Sequence, residues 1–212
     1  MRVILSALLA SAAACATPAF AETIILHAGR VITDASQPTT GPATIAVTEG
    51  KITAITPGYV EAPAGAKLVN LRDKTVLPGL IDMHVHLQSN PGGDYRDEAV
   101  VSDDFATLMG ARNALRTVKA GFTTVRDLGS TPQGGFALRE ATAQGLIPGP
   151  RIISSGPAVS IIGGHGDVNG FRPEVAHALD ANNTCTGPVE CAARVREFSK
   201  AGADVIKITA TG

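Results

Sequence analysis

The chain has 212 residues, 44% apolar and 17% charged, too hydrophobic for a disordered segment and ample for a buried core. Lysine and arginine number 18 against 19 acidic residues, so the formal charge of −1 leaves no electrostatic footprint for nucleic acid or an anionic membrane. Aromatics are scarce at 4%, and 23 glycines and 13 prolines without an internal repeat exclude a coiled coil and indicate many tight loops.

Residues 1–21 read as a leader rather than as part of the fold. Arg2 is followed by the apolar run Val3–Ala10 and then by small residues ending in Ala19-Phe20-Ala21. That is the order of a secretory signal peptide with an A-x-A cleavage site after Ala21, too short to be a transmembrane helix. Lipidation at Cys15 is the alternative, weakened by Ala12 where a lipoprotein signal prefers Leu. The expectation is export to a periplasm or the medium, with no stable membrane association once the leader is cut.

Residues 22–75 form short β-rich runs: Ile24–His27, Arg30–Thr33, Thr44–Val47, and Lys51–Ile55 after a hairpin signal at Glu49-Gly50. A meander this small cannot bury both faces of its sheet and needs a partner surface. The character changes near Val76. Leu80-Ile81 read as a strand buried on both faces, as in parallel sheets. A helix from Asp97 to Lys119, closed by Gly121, leads to a strand at Phe122–Asp127 and a helix at Gly135–Gln144. A third strand at Arg151–Ser155, a helix at Pro188–Ala201 and a fourth strand at Asp204–Thr209 complete the pattern. This alternation is the signature of a parallel α/β fold. A complete (β/α)8 barrel takes about 250 residues. Residues 76–212 have room for the first four strands, so the chain is either a four-stranded open sheet or, the favoured expectation, the first half of a (β/α)8 barrel.

His84-Val85-His86 follows the first of these strands. Residues two apart in a strand share a face, so both imidazoles converge at the carboxyl end of the strand, where parallel α/β enzymes place their sites. Neutral imidazole is a common ligand for transition metals, and the pair reads as part of a metal centre. Lys207 is the second anomaly, a lysine in an otherwise apolar run. Burial pushes such an ammonium toward its neutral amine, which can take up carbon dioxide and become an anionic carbamate with two metal-bridging oxygens. The alternative is a lysine that pairs with an acid at the sheet end. In the loop Ile161–Phe171, glycines flank His165 and let backbone approach a ligand, so His165 either contacts substrate or caps a turn. Arg126 and Asp127 read as an ordinary ion pair, Asp82 as a partner orienting a histidine, and His27 and His177 as structural. Cys185 and Cys191 either bridge or remain two partly buried thiols.

The segments Val76–His86, Gly121–Asp127 and Gly202–Lys207 together resemble the amidohydrolase superfamily, its imidazolonepropionase-like and Xaa-Pro dipeptidase-like branch. The resemblance implies a distorted TIM barrel, here its first half, preceded by a small β-sandwich segment over residues 22–75, with a centre of two divalent metal ions of the zinc type. It makes His84 and His86 the first-strand ligands and Lys207 the carboxylated bridging ligand. It also implies two later-strand histidines and a general-base aspartate that lie beyond Gly212, so the 212-residue chain is expected to be catalytically incompetent alone. Similar Gly-Gly-His-Gly segments in the dipeptidase-like branch favour His165 as a substrate contact. The implied substrate is a small molecule, a dipeptide or N-acyl amino acid, and homo-oligomer formation is left open. The competing readings are a non-catalytic half-barrel that binds a metal or a partner, and a hydrolase of cyclic amides of the imidazolone type.

Overall fold

The structure, a computed structural model, describes residues 22–92, 96 and 99–210. The leader and the first two residues of the expected helix at 97–119 lie outside the described residues. The chain divides into two compact units, Met1–Pro78 and Gly79–Gly212.

The first unit is one mixed sheet of β1 (Thr23–Val31), β2 (Ala43–Thr48), β3 (Lys51–Pro57) and β4 (Lys67–Val76), in the order β3-β2-β1-β4. β2 and β3 form the expected hairpin, with Glu49 and Gly50 both at positive φ as a primed turn requires. The two runs expected before residue 34 are halves of one strand. They join where the β1–β4 register shifts beside Gly29, at a point where a Cβ would lie 2.1 Å from the Arg72 carbonyl oxygen. β4 has no counterpart among the expected strands, because its charged residues mask the alternation; it pairs in parallel with β1. Ala28, Val31, Ala43 and Ile45 form the core, while every residue of β3 is exposed. His27 is buried and structural. Arg72 Nη2 donates to its Nδ1 at 3.0 Å, which leaves Nε2–H to donate to the Val60 carbonyl at 2.8 Å.

The second unit is α/β. Its elements are β5 (Leu80–Val85), α1 (Asp103–Lys119), β6 (Phe122–Asp127), α2 (Gly134–Ala143), β7 (Arg151–Ser154), β8 (Val159–Ile161), α3 (Pro173–Leu179), β9 (Thr184–Cys185), α4 (Gly187–Ala201) and β10 (Ile208–Thr209). Two parallel sheets result, β5-β6-β7 and β10-β8-β9. Ser154 and Val159 both meet the segment 204–209. The Asp204 amide donates to the Ser154 carbonyl at 2.9 Å, and the Val159 amide to the Lys207 carbonyl at 2.8 Å. The expected fourth strand thus lies along β7 and β8, but only Ile208–Thr209 is regular, because the Asp204 side chain takes the Ser154 amide.

Two further expectations are corrected. α1 begins at Asp103, where Ser102 Oγ accepts from the Phe105 amide and two aspartates occupy the first turn. Leu80 and Ile81 are 43% and 60% exposed rather than buried on both faces, since among the described residues β5 pairs with β6 alone and is an edge. The core lies between sheet and helices: Leu87, Val125, Leu138 and Ile152 in one cluster, Val159, Cys185 and Phe198 in another. Cys185 and Cys191 form a disulfide that ties β9 to the first turns of α4. No helix among the described residues is long and apolar enough to cross a membrane.

Candidate active site

Period-two alternation sorts the strand ends. Val85 and Leu87 pack toward the helices, so His84 and His86 turn to the opposite face, their ring centroids 5.2 Å apart. Two imidazoles bound to one tetrahedral ion through bonds of about 2.0–2.1 Å would place their centroids about 5 Å apart, so the pair fits a single metal ion. His86 is aimed by the next loop. Its Nδ1 lies 3.1 Å from the Gly129 carbonyl oxygen, which can only accept, so Nδ1 carries the proton and Nε2 keeps its lone pair. Gly129 has to be glycine, because a Cβ there would stand 2.8 Å from two atoms of the His86 ring. Asp82 does not touch a ring; its Oδ1 accepts from the His84 backbone amide at 3.0 Å. Partial desolvation holds the His84 pKa below its usual value, and the charges of Lys207, His86 and Arg126 add to this against the opposing pull of Asp82.

On β6, Val125 and Asp127 face the helices and Arg126 faces the histidines. The expected Arg126–Asp127 ion pair is therefore absent, since neighbours in a strand point to opposite faces. Arg126 Nε instead donates to the Met83 carbonyl at 2.7 Å. Asp127 is fully buried. The Leu87 and Gly129 amides pull its pKa down, but neither makes a well-formed hydrogen bond, so desolvation prevails and raises it to about 7.

Ile206 packs with the Val159–Phe198 core, and the half-buried Lys207 after it lies near enough for its charge to be felt at His84. The segment leading to Lys207 is held by a tie that sequence reading missed. Arg139 on α2 donates to the Gly202 carbonyl at 2.7 Å and to Asp204 at 2.8 Å, and the same Asp204 oxygen accepts from the Ser154 amide. A second missed group is the buried Gln88, two residues past His86. Its amide bonds Thr107, Thr131 Oγ1 and the Thr131 backbone, joining the β5–α1 loop, α1 and the β6–α2 loop. The one signal for both was polar residues beside strand ends.

His165 is exposed, and no contact joins it to His84, His86 or Lys207 among the described residues. Its loop is nonetheless firmly held. Asp167 accepts from the Gly163 and Val168 amides, and Asn183 donates to the Gly166 and Ala158 carbonyls. Within the described residues no three of His, Cys, Asp and Glu gather as a metal cluster, so the candidate set is two imidazoles and one amine.

Comparison with known proteins bears on the whole second unit. Over 69 residues the chain is 49% identical to an allantoinase of Streptomyces avermitilis, an overlap of 32% of this chain and 15% of that one. Over 108 residues it is 34% identical to a dihydroorotase of Syntrophus aciditrophicus, 51% of this chain and 22% of that one. Among solved structures, a Xaa-Pro dipeptidase with methionine bound in its active site superposes with a TM-score of 0.77 at 34% identity, covering 90% of this chain and 48% of that one. The chain thus spans about half the length of this solved relative and a smaller share of the curated ones. Residues 75–212 match the Amidohydrolase family, well over half of the sequence, and the chain belongs to that family.

Proposed function

We propose that the protein is a metal-dependent hydrolase of C–N bonds acting on dipeptides or N-acyl amino acids. The observation that carries this reading is the pairing of the His84 and His86 rings, with the charge of Lys207 felt at His84, in a chain of this family. Members of the family generally use divalent metal ions. His84 and His86 would hold one zinc ion, and Lys207, in its carboxylated form, would bridge it to a second. Such ions supply a Lewis acid that polarises the scissile carbonyl and activates water at neutral pH.

The chain's own residues prepare that chemistry. Gly129 fixes the proton of His86 on Nδ1 and leaves Nε2 to ligate. Desolvation first, and then the charges around it, hold the His84 pKa below the ordinary imidazole value, which favours the neutral, ligating ring. His165, on its braced loop, would contact the substrate or its developing oxyanion. The dipeptide preference is supported by the likeness to the Xaa-Pro dipeptidase. Matches to an allantoinase and a dihydroorotase favour a second reading, hydrolysis of a cyclic amide. Export behind a leader cut at Ala21 is part of the proposal and is supported by the Cys185–Cys191 bridge, since disulfides persist in oxidising compartments.

The test is turnover by zinc-loaded protein expressed from its full coding sequence, on a panel of dipeptides, N-acetyl amino acids and cyclic amides. Hydrolysis that a chelator abolishes and zinc restores is expected. A fully metallated protein that turns over no member of the panel would overturn the reading in favour of a non-catalytic metal-binding barrel.

A further inference from the structure

We infer that Arg126 is the anion anchor of this site and restricts its substrates to amides that carry a free carboxylate beside the scissile bond, an inference that rests on the hydrolase reading above. Three observations lead to it. First, alternation on β6 places Arg126 on the face of His84 and His86, while its neighbours Val125 and Asp127 point into the helix-facing core. Second, its guanidinium is held from behind. Nε donates to the Met83 carbonyl at 2.7 Å, the residue just before His84, and no other hydrogen bond or ion pair engages Arg126 among the described residues. The two terminal nitrogens therefore remain as a planar fork, the geometry that takes a carboxylate in two parallel hydrogen bonds. Third, the acid felt on this face, Asp82, is already engaged. The charges that reach His84 are those of Lys207, His86, Arg126 and a single acid, Asp82, whose Oδ1 already accepts from the His84 amide.

These facts separate Arg126 from a residue that only ties strands together. A tie from β6 to β5 needs one donor, and the ladder between these strands already supplies several. A guanidinium on the face of His84 and His86, with its Nε occupied and its terminal nitrogens unengaged among the described residues, adds a fixed charge beside the proposed centre. A carboxylate on the amine side of the scissile bond would reach Arg126 while the carbonyl lies near the histidines. An amide or ester at that position would leave the fork without an anionic partner.

The experiment compares binding of two probes to the zinc-loaded protein expressed from its full coding sequence. One is N-methanesulfonyl-L-methionine, whose sulfonamide resists hydrolysis, and the other is its carboxamide. The wild type should bind the acid roughly 10- to 100-fold more tightly than the carboxamide, the range of a hydrogen-bonded charge pair. Arg126→Gln keeps a donor for the Met83 carbonyl but loses the charge, and the preference should fall to about one. Arg126→Lys, a point charge without the fork, should keep only part of it and carries the test if the glutamine variant does not fold. Equal binding of acid and carboxamide by the wild type, or a preference that survives Arg126→Gln, would overturn the assignment. Turnover of the amide panel is read separately. A preference without turnover keeps the anchor and removes the hydrolase, and turnover without a preference does the reverse.

Discussion

Asp127 is a carboxyl sealed between sheet and helices with a pKa near 7, and that has a consequence for stability. In the unfolded chain it would titrate near 3.8, so the folded state holds the proton more tightly. Its favourable contribution is complete below about pH 3.8 and is lost as pH rises through 7. Asp127→Asn should therefore flatten the dependence of unfolding free energy on pH between 4 and 7. At pH 8 the variant should gain at most about 4 kcal/mol over wild type, because each tenfold change in proton affinity corresponds to about 1.4 kcal/mol. Denaturant titrations across that range check it, and parallel curves for the two proteins would sink it. Gly129 carries a different lesson. A methyl group there collides with the His86 ring, so Gly129→Ala should weaken zinc binding roughly tenfold or more with little loss of fold. Competition with a chromophoric chelator measures this, and unchanged affinity would show that the glycine does not aim the histidine. Neither residue was legible as functional from the sequence. Asp127 looked like half of an ion pair until the strand's alternation separated it from Arg126, and nothing in a lone glycine announces which ring it faces.

The elements were read best where local chemistry and tertiary packing agree. The strand Phe122–Asp127 was placed to the residue, and the helix expected at 135–144 lies within one residue of α2, because apolar pattern and turn residues coincide there. Agreement failed where a tertiary partner settles the matter. β4 forms because β1 offers it a parallel edge, although four of its 10 residues are charged. Leu80 and Ile81 are apolar yet exposed, since a strand's composition does not say how many neighbours it has. The bond between Cys185 and Cys191 was equally open in the sequence. The structure pins β9, only two residues long, to α4 across a separation of 6 residues. Closing so short a loop should contribute about 2 kcal/mol, so the reduced protein should melt earlier. Intact mass after expression into an oxidising periplasm should show the leader removed after Ala21 and the chain lighter by two hydrogens. A product that retains residues 1–21 with both thiols free would contradict export and bridge together.

At the scale of the whole molecule, family membership rests on short strand-end segments that were readable before any coordinates, His84-Val85-His86 above all. That His84, His86 and Lys207 serve one centre was an expectation of the resemblance, while the tie Arg139–Asp204–Ser154 that holds the segment before Lys207 was not readable, because its members lie far apart in sequence. The proposal that these three side chains share a metal centre is the central claim, and metal content tests it most directly. Protein expressed from its full coding sequence, saturated with zinc in bicarbonate buffer and then dialysed, should retain two equivalents per chain. Lys207→Ala should retain one or fewer, and His84→Ala with His86→Ala fewer still. Equal zinc in wild type and Lys207→Ala would remove the lysine from the centre and contradict the account.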